Sequence, residues 1–493
     1  MLRRLALALL TLFISAPLCF AEAVLPPDIV PVISADDSIE VNRSVIFDAS
    51  QTTASYDGTL IFEWAFGDGN RQEGAEVVHS YAKTGEYTVH LLVRNERGLT
   101  AELDYPVFVY SRSFMLVTNV LKEGEKLTAL VEAARSEDVY IEFLPIETSG
   151  SLFLEEEELR RQLLEHSDEL EAAQDLVIYT YGSSGLTVLS QLIHNLNRSD
   201  LFAGKNIYFL SEYSISSMNT LARGVYGSIQ PAQIILTRSE ALWPLLESAD
   251  PAAFVSTLEA RDVEYTVVDD SLQLRPWNFL SYIVNGLISR GVPSSTILLV
   301  LMLPIIATVV AFMKQVVGLN TLGVYTPSIL SLSFIALNFT FGLVIFLFLF
   351  AVAILTRHVL HRYRLLYVPR MAIILSISSF AILALFYLGS FFPGRIDELA
   401  IFPILILTTL VEKFVTIQGE KGVKGALHIG MEILIVAVLC YFVAQWSALE
   451  VLVLGHPEFV LLFVLFDFIL ARWSGLRLTE YVRFRELIRH VEE

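Results

Sequence analysis

Three patterns of apolar and polar positions follow one another along the chain. Residues 31–110 hold short runs in which apolar and polar positions alternate: VIFDAS, LIFEWAF, EVVHSY, YTVHLLV and YPVFVY. They are split by Asp-Gly, Gly-Asp-Gly and Arg-Gly. A period of two with turn residues at this spacing predicts a small β-sandwich. From Ser113 to about Ser271 the strand-like runs FMLVTN, VYIEFLPI, DLVIYTYG, NIYFLSE, AQIILTR and VEYTVVDD alternate with helical stretches such as Leu154 to Ala173. Runs apolar on both faces, separated by amphipathic segments, predict a parallel sheet flanked by helices. From Thr296 to Ala471 the chain is a succession of apolar runs, each near the ~20 residues that a membrane helix needs.

Seven spans fit this third pattern. They begin near Thr296, Leu322, Phe341, Met371, Leu399, Ala426 and His456, and end near Val317, Leu337, Thr356, Ser390, Phe414, Trp446 and Ala471. The second and fifth are short and carry Pro327 and Pro403, so either could be a re-entrant half-helix. Loop charge favours seven. Lysines and arginines collect on the cytoplasmic side of a membrane protein. With seven spans, one set of loops holds Lys314, then Arg357, Arg362, Arg364 and Arg370, then Lys413, Lys421 and Lys424, then Arg472, Arg477, Arg483, Arg485 and Arg489. The opposite set holds Arg395 alone. The C-terminus is therefore expected in the cytoplasm. Just before the first span, Leu280, Ile283, Val284, Leu287 and Ile288 share one helical face, with Trp277 and Tyr282 nearby. Residues 276–290 read as a helix lying in the membrane interface.

The N-terminus carries Arg3 and Arg4, the apolar run LALALLTLFISAPL and small residues ending at Ala21. This is the layout of a secretory signal peptide over residues 1–21. An uncleaved anchor would leave the topology the same, and a lipid on Cys19 fits the preceding Ala-Pro-Leu poorly. The only other cysteine is Cys440, in the sixth span, so the exported part holds no disulfide.

Charge is unevenly shared. The net formal charge is −19, but residues 22–295 hold 41 acidic against 18 basic side chains, and residues from 296 onward hold 12 against 14. An acidic exterior argues against nucleic acid as a partner, which needs basic patches.

In the first segment, Trp64, Phe66-Gly67-Asp68-Gly69, His79, Tyr81, Gly85, Tyr87-Thr88-Val89 and Asn95 through Gly98 resemble the signature of PKD domains, immunoglobulin-like modules of cell-surface proteins. The resemblance implies a binding or spacer module. Trp64 is expected to fill the space between the sheets. Asp68 reads as a turn-capping residue, with calcium ligation as the alternative.

The chemistry-bearing corner of the second segment is Tyr181-Gly182-Ser183-Ser184-Gly185, where a strand passes into a helix. Ligands in such sheets sit at the carboxyl ends of strands, and amides at a helix N-terminus receive anions. Ser183 and Ser184 are therefore ligand candidates. The corner is neither a dinucleotide fingerprint nor a nucleophile elbow, and Ser183 reads as a helix cap rather than a nucleophile. Ser211 and Glu212 end the next strand and share the same edge. Glu155 to Glu158 open the longest helix, where negative charge is favourable.

In the third segment, Gly318 to Pro327, Phe402-Pro403-Ile404 running to Glu412-Lys413, and Arg472 to Glu480 with Arg483-Phe484-Arg485 resemble a bacterial seven-helix membrane domain usually fused to an inactive transglutaminase-like ectodomain. Here a PKD-like module and an α/β region stand where that ectodomain would be. The resemblance implies a part in handling an envelope peptide, with a cytoplasmic ATP-grasp-type ligase or another envelope-system protein as partner.

Charges inside a membrane carry a functional hypothesis by default. Glu412, His428, Glu432 and Asp467 are the candidates for ligand contact or proton relay. His428 and Glu432 are four apart and share a helical face. Asp467, in LLFVLFDFIL, is expected to face the bundle and to meet Asn, Ser or Thr of the second span. Glu450, His456 and Glu458 are expected at the outer edge, facing solvent. No set has the ligand number or spacing of a metal site, and no cofactor is implied.

The expected architecture is a multidomain membrane protein: signal peptide 1–21, a PKD-like β-sandwich 31–110, an α/β parallel-sheet domain 113–271, an interfacial helix 276–290, a bundle of seven transmembrane helices 296–471 and a basic cytoplasmic tail 472–493. Residues 22–295 are expected in the periplasm of a bacterial inner-membrane protein. The expected role is a non-enzymatic sensor or scaffold. The alternative is a transporter or intramembrane enzyme working through the buried carboxylates and His428.

Overall fold

Alternation becomes a sandwich in residues 29–110. Its strands are β1 (Ile29–Val30), β2 (Ser38–Glu40), β3 (Val45–Asp48), β4 (Thr53–Ala54), β5 (Leu60–Ala65), β6 (Arg71–Glu73), β7 (Glu76–His79), β8 (Gly85–Asn95) and β9 (Thr100–Tyr110). One sheet has the order β2-β9-β8-β5-β6, and β3-β7 and β1-β4 are short pairs. Trp64 is 1% exposed and lies against Phe47 and Phe66. Its indole N–H donates to the carbonyl of Gly74, so the ring is buried without an orphan donor. Burial of Phe47 and of Phe66 contributes about 1.5–3 kcal/mol each. At the Gly67-Asp68-Gly69 corner both glycines have positive φ, and a Cβ on Gly67 would sit 2.9 Å from the Thr88 carbonyl oxygen. The Asp68 carboxylate accepts from the backbone and side chain of Asn70 and faces His79 Nε2 at 3.0 Å. It closes the turn.

The computed structural model describes residues 29–55, 58–120, 124–146, 152–198, 200–271, 273, 275, 277–360, 363, 366–389, 401–475 and 477–483. The expected signal peptide, Arg362, Arg364, Arg395, Arg485 and Arg489 lie outside the described residues. The chain divides into two compact units, Met1–Ser111 and Arg112–Glu493.

The second unit opens on a six-stranded sheet: β10 (Arg112–Thr118), β11 (Val139–Pro145), β12 (Asp175–Tyr179), β13 (Asn206–Leu210), β14 (Gln233–Thr237) and β15 (Tyr265–Val268), in the order β11-β10-β12-β13-β14-β15. Five strands are parallel. The sixth, β15, pairs antiparallel with β14, a departure from the all-parallel expectation. An antiparallel edge strand on a parallel sheet is a common arrangement, and the partly exposed β15 forms such an edge. The connecting helices are α1 (Gly124–Ser136), α2 (Leu152–Glu165), α3 (Ser167–Ala172), α4 (Ser184–Leu196), α5 (Ile215–Ile229), α6 (Leu242–Glu247) and α7 (Pro251–Ala260). Phe114, Leu116, Val177 and Tyr208 point to a core shared with Leu130, Leu245 and Phe254 of α1, α6 and α7. The alternate residues Met115, Val117, Ile178 and Phe209 point to Leu159, Leu189 and Leu221 of α2, α4 and α5.

That second core does not stop at the helices. It continues without interruption into α8 (Phe279–Ile288), α9 (Ser294–Phe312) and the helices that follow: α10 (Tyr325–Leu337), α11 (Phe339–Leu360), α12 (Tyr367–Gly389), α13 (Ile401–Ala444), α14 (Ser447–Gly455) and α15 (Phe459–Ala471); the short α16 (Leu478–Arg483) lies outside that core. The layer of α2, α4 and α5 thus lies between the sheet and the apolar helices.

Among the described residues three helices are long and apolar enough to cross a bilayer: 294–317, 339–360 and 420–444. The pair α14 and α15, bent by 104°, makes a fourth if taken as one broken span. This is fewer than the seven spans expected from the apolar runs. The expected second span, α10, has 13 residues, or about 20 Å at 1.5 Å per residue, against a core of about 30 Å. The expected fifth and sixth spans run together as α13, broken at Gly422, whose φ is 74°. A π-helical turn, Met313–Val317, ends α9. There a Cβ on Gly318 would run into Thr479 and Arg477. The sheet layer and the Arg477 segment therefore meet opposite ends of the same 24-residue apolar stretch.

Candidate functional site: a carboxylate seated in the switch-point crevice

Strand β10 has β11 on one side and β12 on the other, so the strand order reverses at β10. In open α/β sheets the crevice at such a reversal is where ligands bind. Here it is built from the carboxyl ends of β10 and β12. Asn119, just past β10, accepts a hydrogen bond from the Tyr181 amide at 2.7 Å, which fixes the turn after β12. Gly182 follows with φ +68°, and α4 begins at Ser184. Ser183 occupies the N-cap position, yet its hydroxyl does not cap the helix. Ser183 and Ser184 are both buried.

The Ser183 hydroxyl instead donates to Oε1 of Glu450, at 3.4 Å. Glu450 lies on α14 and is 4% exposed. A Cβ on Gly182 would stand 2.8 Å from that oxygen, so the glycine is needed both for its φ and for the close approach. The expectation that Glu450 faces solvent is wrong. Instead of spanning the gap between two spans as a loop, α14 turns sharply away from α15 and packs on α5, where Gly455 lies directly against the Ser217 backbone. Because α14 rests on the sheet layer, its carboxyl lies outside the spanning helices. Burial pushes the Glu450 carboxyl up to about 7; hydrogen bonds from the Ser183 amide and hydroxyl oppose that, and Glu156 and Glu155 add to it. Beside the carboxyl is a crevice of about 180 Å³ lined by Glu155, Tyr181, Tyr213, Gln445 and Ser447. The Tyr213 hydroxyl donates to Ser447 Oγ at 2.7 Å, a second tie across the same seam.

Two further carboxylates work in the same way. Glu156, buried in α2, accepts from the amides of Ser294 and Ser295 at 2.9 and 2.8 Å, from the Ser294 hydroxyl and from Gln191 Nε2. It supplies the negative charge that the first turn of α9 lacks. Glu458 accepts from the amide and hydroxyl of Ser281 at 2.9 and 2.7 Å, at the start of α8. Glu458 is therefore also engaged rather than solvent-facing, and His456 is only part-exposed. Thus Glu450, Glu156 and Glu458 each serve a helix N-terminus across the seam between the sheet layer and the apolar helices. Such pairings escape sequence reasoning because each partner is more than a hundred residues away. The visible signals were a lone glutamate in the apolar run SALEVLVLG and a first span opening on Pro-Ser-Ser with no acid of its own.

The membrane candidates are placed apart from that seam. Glu432 accepts from the Asn320 amide at 3.0 Å and lies 3.4 Å from His428 Nε2, with His428 mostly exposed. Glu412 lies on α13; its side chain is outside the described residues. Asp467 lies on α15, which packs against α9 rather than α10. Its Oδ1 is buried and has no hydrogen-bond partner among the described residues. The second-span hydroxyls expected to meet it are used locally: Thr326, Ser328, Ser331 and Ser333 all donate to carbonyls of their own helix region. Glu212 accepts from Ser239, and Ser211 accepts from the Tyr213 amide. Among the described residues no three His, Cys, Asp or Glu side chains are grouped to hold a metal.

Residues 278–488 match the family described as seven transmembrane helices usually fused to an inactive transglutaminase, and residues 26–107 match the PKD domain. The chain joins a PKD domain to a membrane domain of that family. It is a membrane protein of multi-pass type. It is 37% identical over 67 residues to collagenase ColA of Clostridium perfringens, covering 14% of this chain and 6% of the collagenase. It is 32% identical over 78 residues to a microbial collagenase of Vibrio alginolyticus, covering 16% and 10%. The chain thus spans a tenth or less of those relatives. Among solved structures, the PKD1 domain of Vibrio anguillarum Epp aligns at 25% identity over 18% of this chain and 99% of that domain, with a TM-score of 0.15. A 2,6-sialyltransferase of Photobacterium sp. JT-ISH-224 aligns at 13% identity over 46% of this chain and 56% of the enzyme, with a TM-score of 0.19.

Proposed function

We propose that this protein is a bacterial inner-membrane sensor or scaffold, without catalytic activity of its own. Its PKD domain and sheet layer act in the periplasm and its basic tail acts in the cytoplasm. The observation that carries this reading is Glu450 in the switch-point crevice. A sheet of this kind that binds a ligand keeps the corner open. Here the chain's own carboxyl takes the Ser183 hydroxyl, so the corner serves as a joint between the sheet layer and the membrane helices. Movement in one is transmitted to the other through Glu450, Glu156 and Glu458. The opposed positions of the sheet layer and the Arg477 segment along α9 support the two-sided topology. The partner that the membrane-domain family suggests is an ATP-grasp-type peptide ligase of an envelope system, met through Arg477, Arg483 and the tail beyond.

The experiment uses the full chain in cells. A reporter fused at residue 493 is active only in the cytoplasm, protease added to spheroplasts cleaves within the first 270 residues, and the ligase co-purifies until Arg477 and Arg483 are replaced by Ala. A reporter active only outside, or protection of the first 270 residues, overturns the reading.

A second reading is a transporter or intramembrane enzyme. The unpartnered Oδ1 of Asp467 favours it, because a carboxyl oxygen buried without a partner among membrane helices is costly to keep.

A further inference from the structure

Away from the switch-point crevice, a cavity of about 460 Å³ opens between α5 and α8. Its floor is glycine: Gly224 and Gly227 on α5, Gly286 on α8. Two guanidinium groups reach it, those of Arg223 and Arg290. Arg223 is ion-paired with Asp270 at 3.2 Å, whereas Arg290 makes no ion pair among the described residues. The rim therefore carries one positive charge in excess, the complement of a single phosphodiester. Asn285, 4% exposed, also lines the cavity. Its Nδ2 donates to the Ser281 carbonyl at 2.9 Å, and its Oδ1 is closed to solvent, packed against Gly224 of α5. The unpaired charge of Arg290 calls for a ligand with an anionic group.

The apolar surroundings decide the source of that ligand. Tyr282 and Ile283 line the cavity and are 45% and 41% exposed, and Phe279 at the start of α8 and Trp277 just before it are 59% and 73% exposed. Aromatic side chains at this density, next to the entry of the first span at Ser294, mark the membrane–water boundary. A soluble phosphate ester would leave these rings in water, whereas an acyl chain covers them.

We propose that the cavity between α5 and α8 binds the headgroup of an anionic glycerophospholipid such as phosphatidylglycerol. The phosphate lies by Arg290, and the glycerol and acyl chains run over Tyr282, Ile283 and Phe279. Phosphatidylcholine has the phosphate but no net charge, so it binds less tightly. This site is independent of the coupling role assigned to Glu450.

Gly286 supplies a clean test. A Cβ there meets nothing within 4 Å, and a leucine improves helix propensity, so Gly286→Leu fills the cavity without disturbing its walls. The full chain, purified in detergent, is titrated with phosphatidylglycerol, phosphatidylcholine and glycerophosphate, and bound lipid is counted by native mass spectrometry. Wild-type protein is expected to retain phosphatidylglycerol over phosphatidylcholine, glycerophosphate is expected not to displace it, and Gly286→Leu and Arg290→Gln are each expected to lower its retention roughly tenfold with unchanged Tm. Equal retention by wild type and Gly286→Leu overturns the site. Displacement by glycerophosphate overturns the lipid assignment, and equal retention of phosphatidylcholine overturns the preference for an anionic headgroup.

Discussion

Glu450 and Ser183 are 267 positions apart in the chain, yet their side chains meet at 3.4 Å in a buried crevice. A strand-to-helix corner with exposed amides is a general receptor for anions. In this chain the group seated there is a carboxyl of the molecule itself, and it arrives from the helix that precedes α15. The contact ties a corner of the sheet layer to the membrane helices, and its strength is set by whether the carboxyl is ionised.

That dependence gives the first prediction. The Glu450 carboxyl titrates near 7 in the fold, against about 4.5 when unfolded. The fold binds this proton more tightly than the unfolded chain does, so the stability it contributes is fully present below about 4.5 and is lost as pH rises through about 7. The full effect is roughly 3 kcal/mol at ~1.36 kcal/mol per unit. Thermal unfolding of the detergent-solubilised chain is expected to show Tm falling between pH 5 and pH 8. In Glu450→Gln, which stays neutral, the fall should be smaller by that amount. An identical slope in both proteins would refute the assignment.

A second prediction follows from Gly182. An alanine there suffers twice, from φ +68° and from a Cβ 2.8 Å from Glu450 Oε1. The first penalty is about 1–2 kcal/mol and does not depend on residue 450. The second disappears when Glu450 is shortened to Ala. A double-mutant cycle of Gly182→Ala with Glu450→Ala, read by thermal or denaturant unfolding, is expected to give a coupling of about 1–2 kcal/mol. Additive penalties would mean that the two residues do not touch.

Much of the fold was legible because it is written in local periodicity. Each of the six strand-like runs between residues 114 and 270 contains a strand of the sheet, and Trp64 sits in the sandwich core. The corner at Ser183 was visible as a strand ending in Gly-Ser-Ser-Gly. Its occupant was not. A single glutamate between two apolar runs looks solvated by every local criterion, and only the 104° bend between α14 and α15 carries it into the crevice. The same limit applied to Glu156, which reads as one of four helix-opening acids although it alone caps α9. Helix breaks were partly hidden for a similar reason: Gly422 interrupts α13 at φ 74°, a conformation that an apolar-run count does not register.

Asp467 separates the two functional readings. It sits on α15 in an otherwise apolar run, with Oδ1 buried and unpartnered among the described residues. If the helices anchor and transmit, this carboxyl contributes only a desolvation penalty. Replacement by leucine, which branches at the same carbon, then leaves function intact and raises Tm or holds it steady. If the helices move a proton or a solute, the same variant folds and inserts normally but fails to restore the phenotype of a deletion strain. Complementation by Asp467→Leu, measured beside its Tm in detergent, is expected to succeed under the scaffold reading. A stable, correctly inserted variant that does not complement would transfer the assignment to the transporter or intramembrane enzyme, because no loss of packing would then be available to explain the defect.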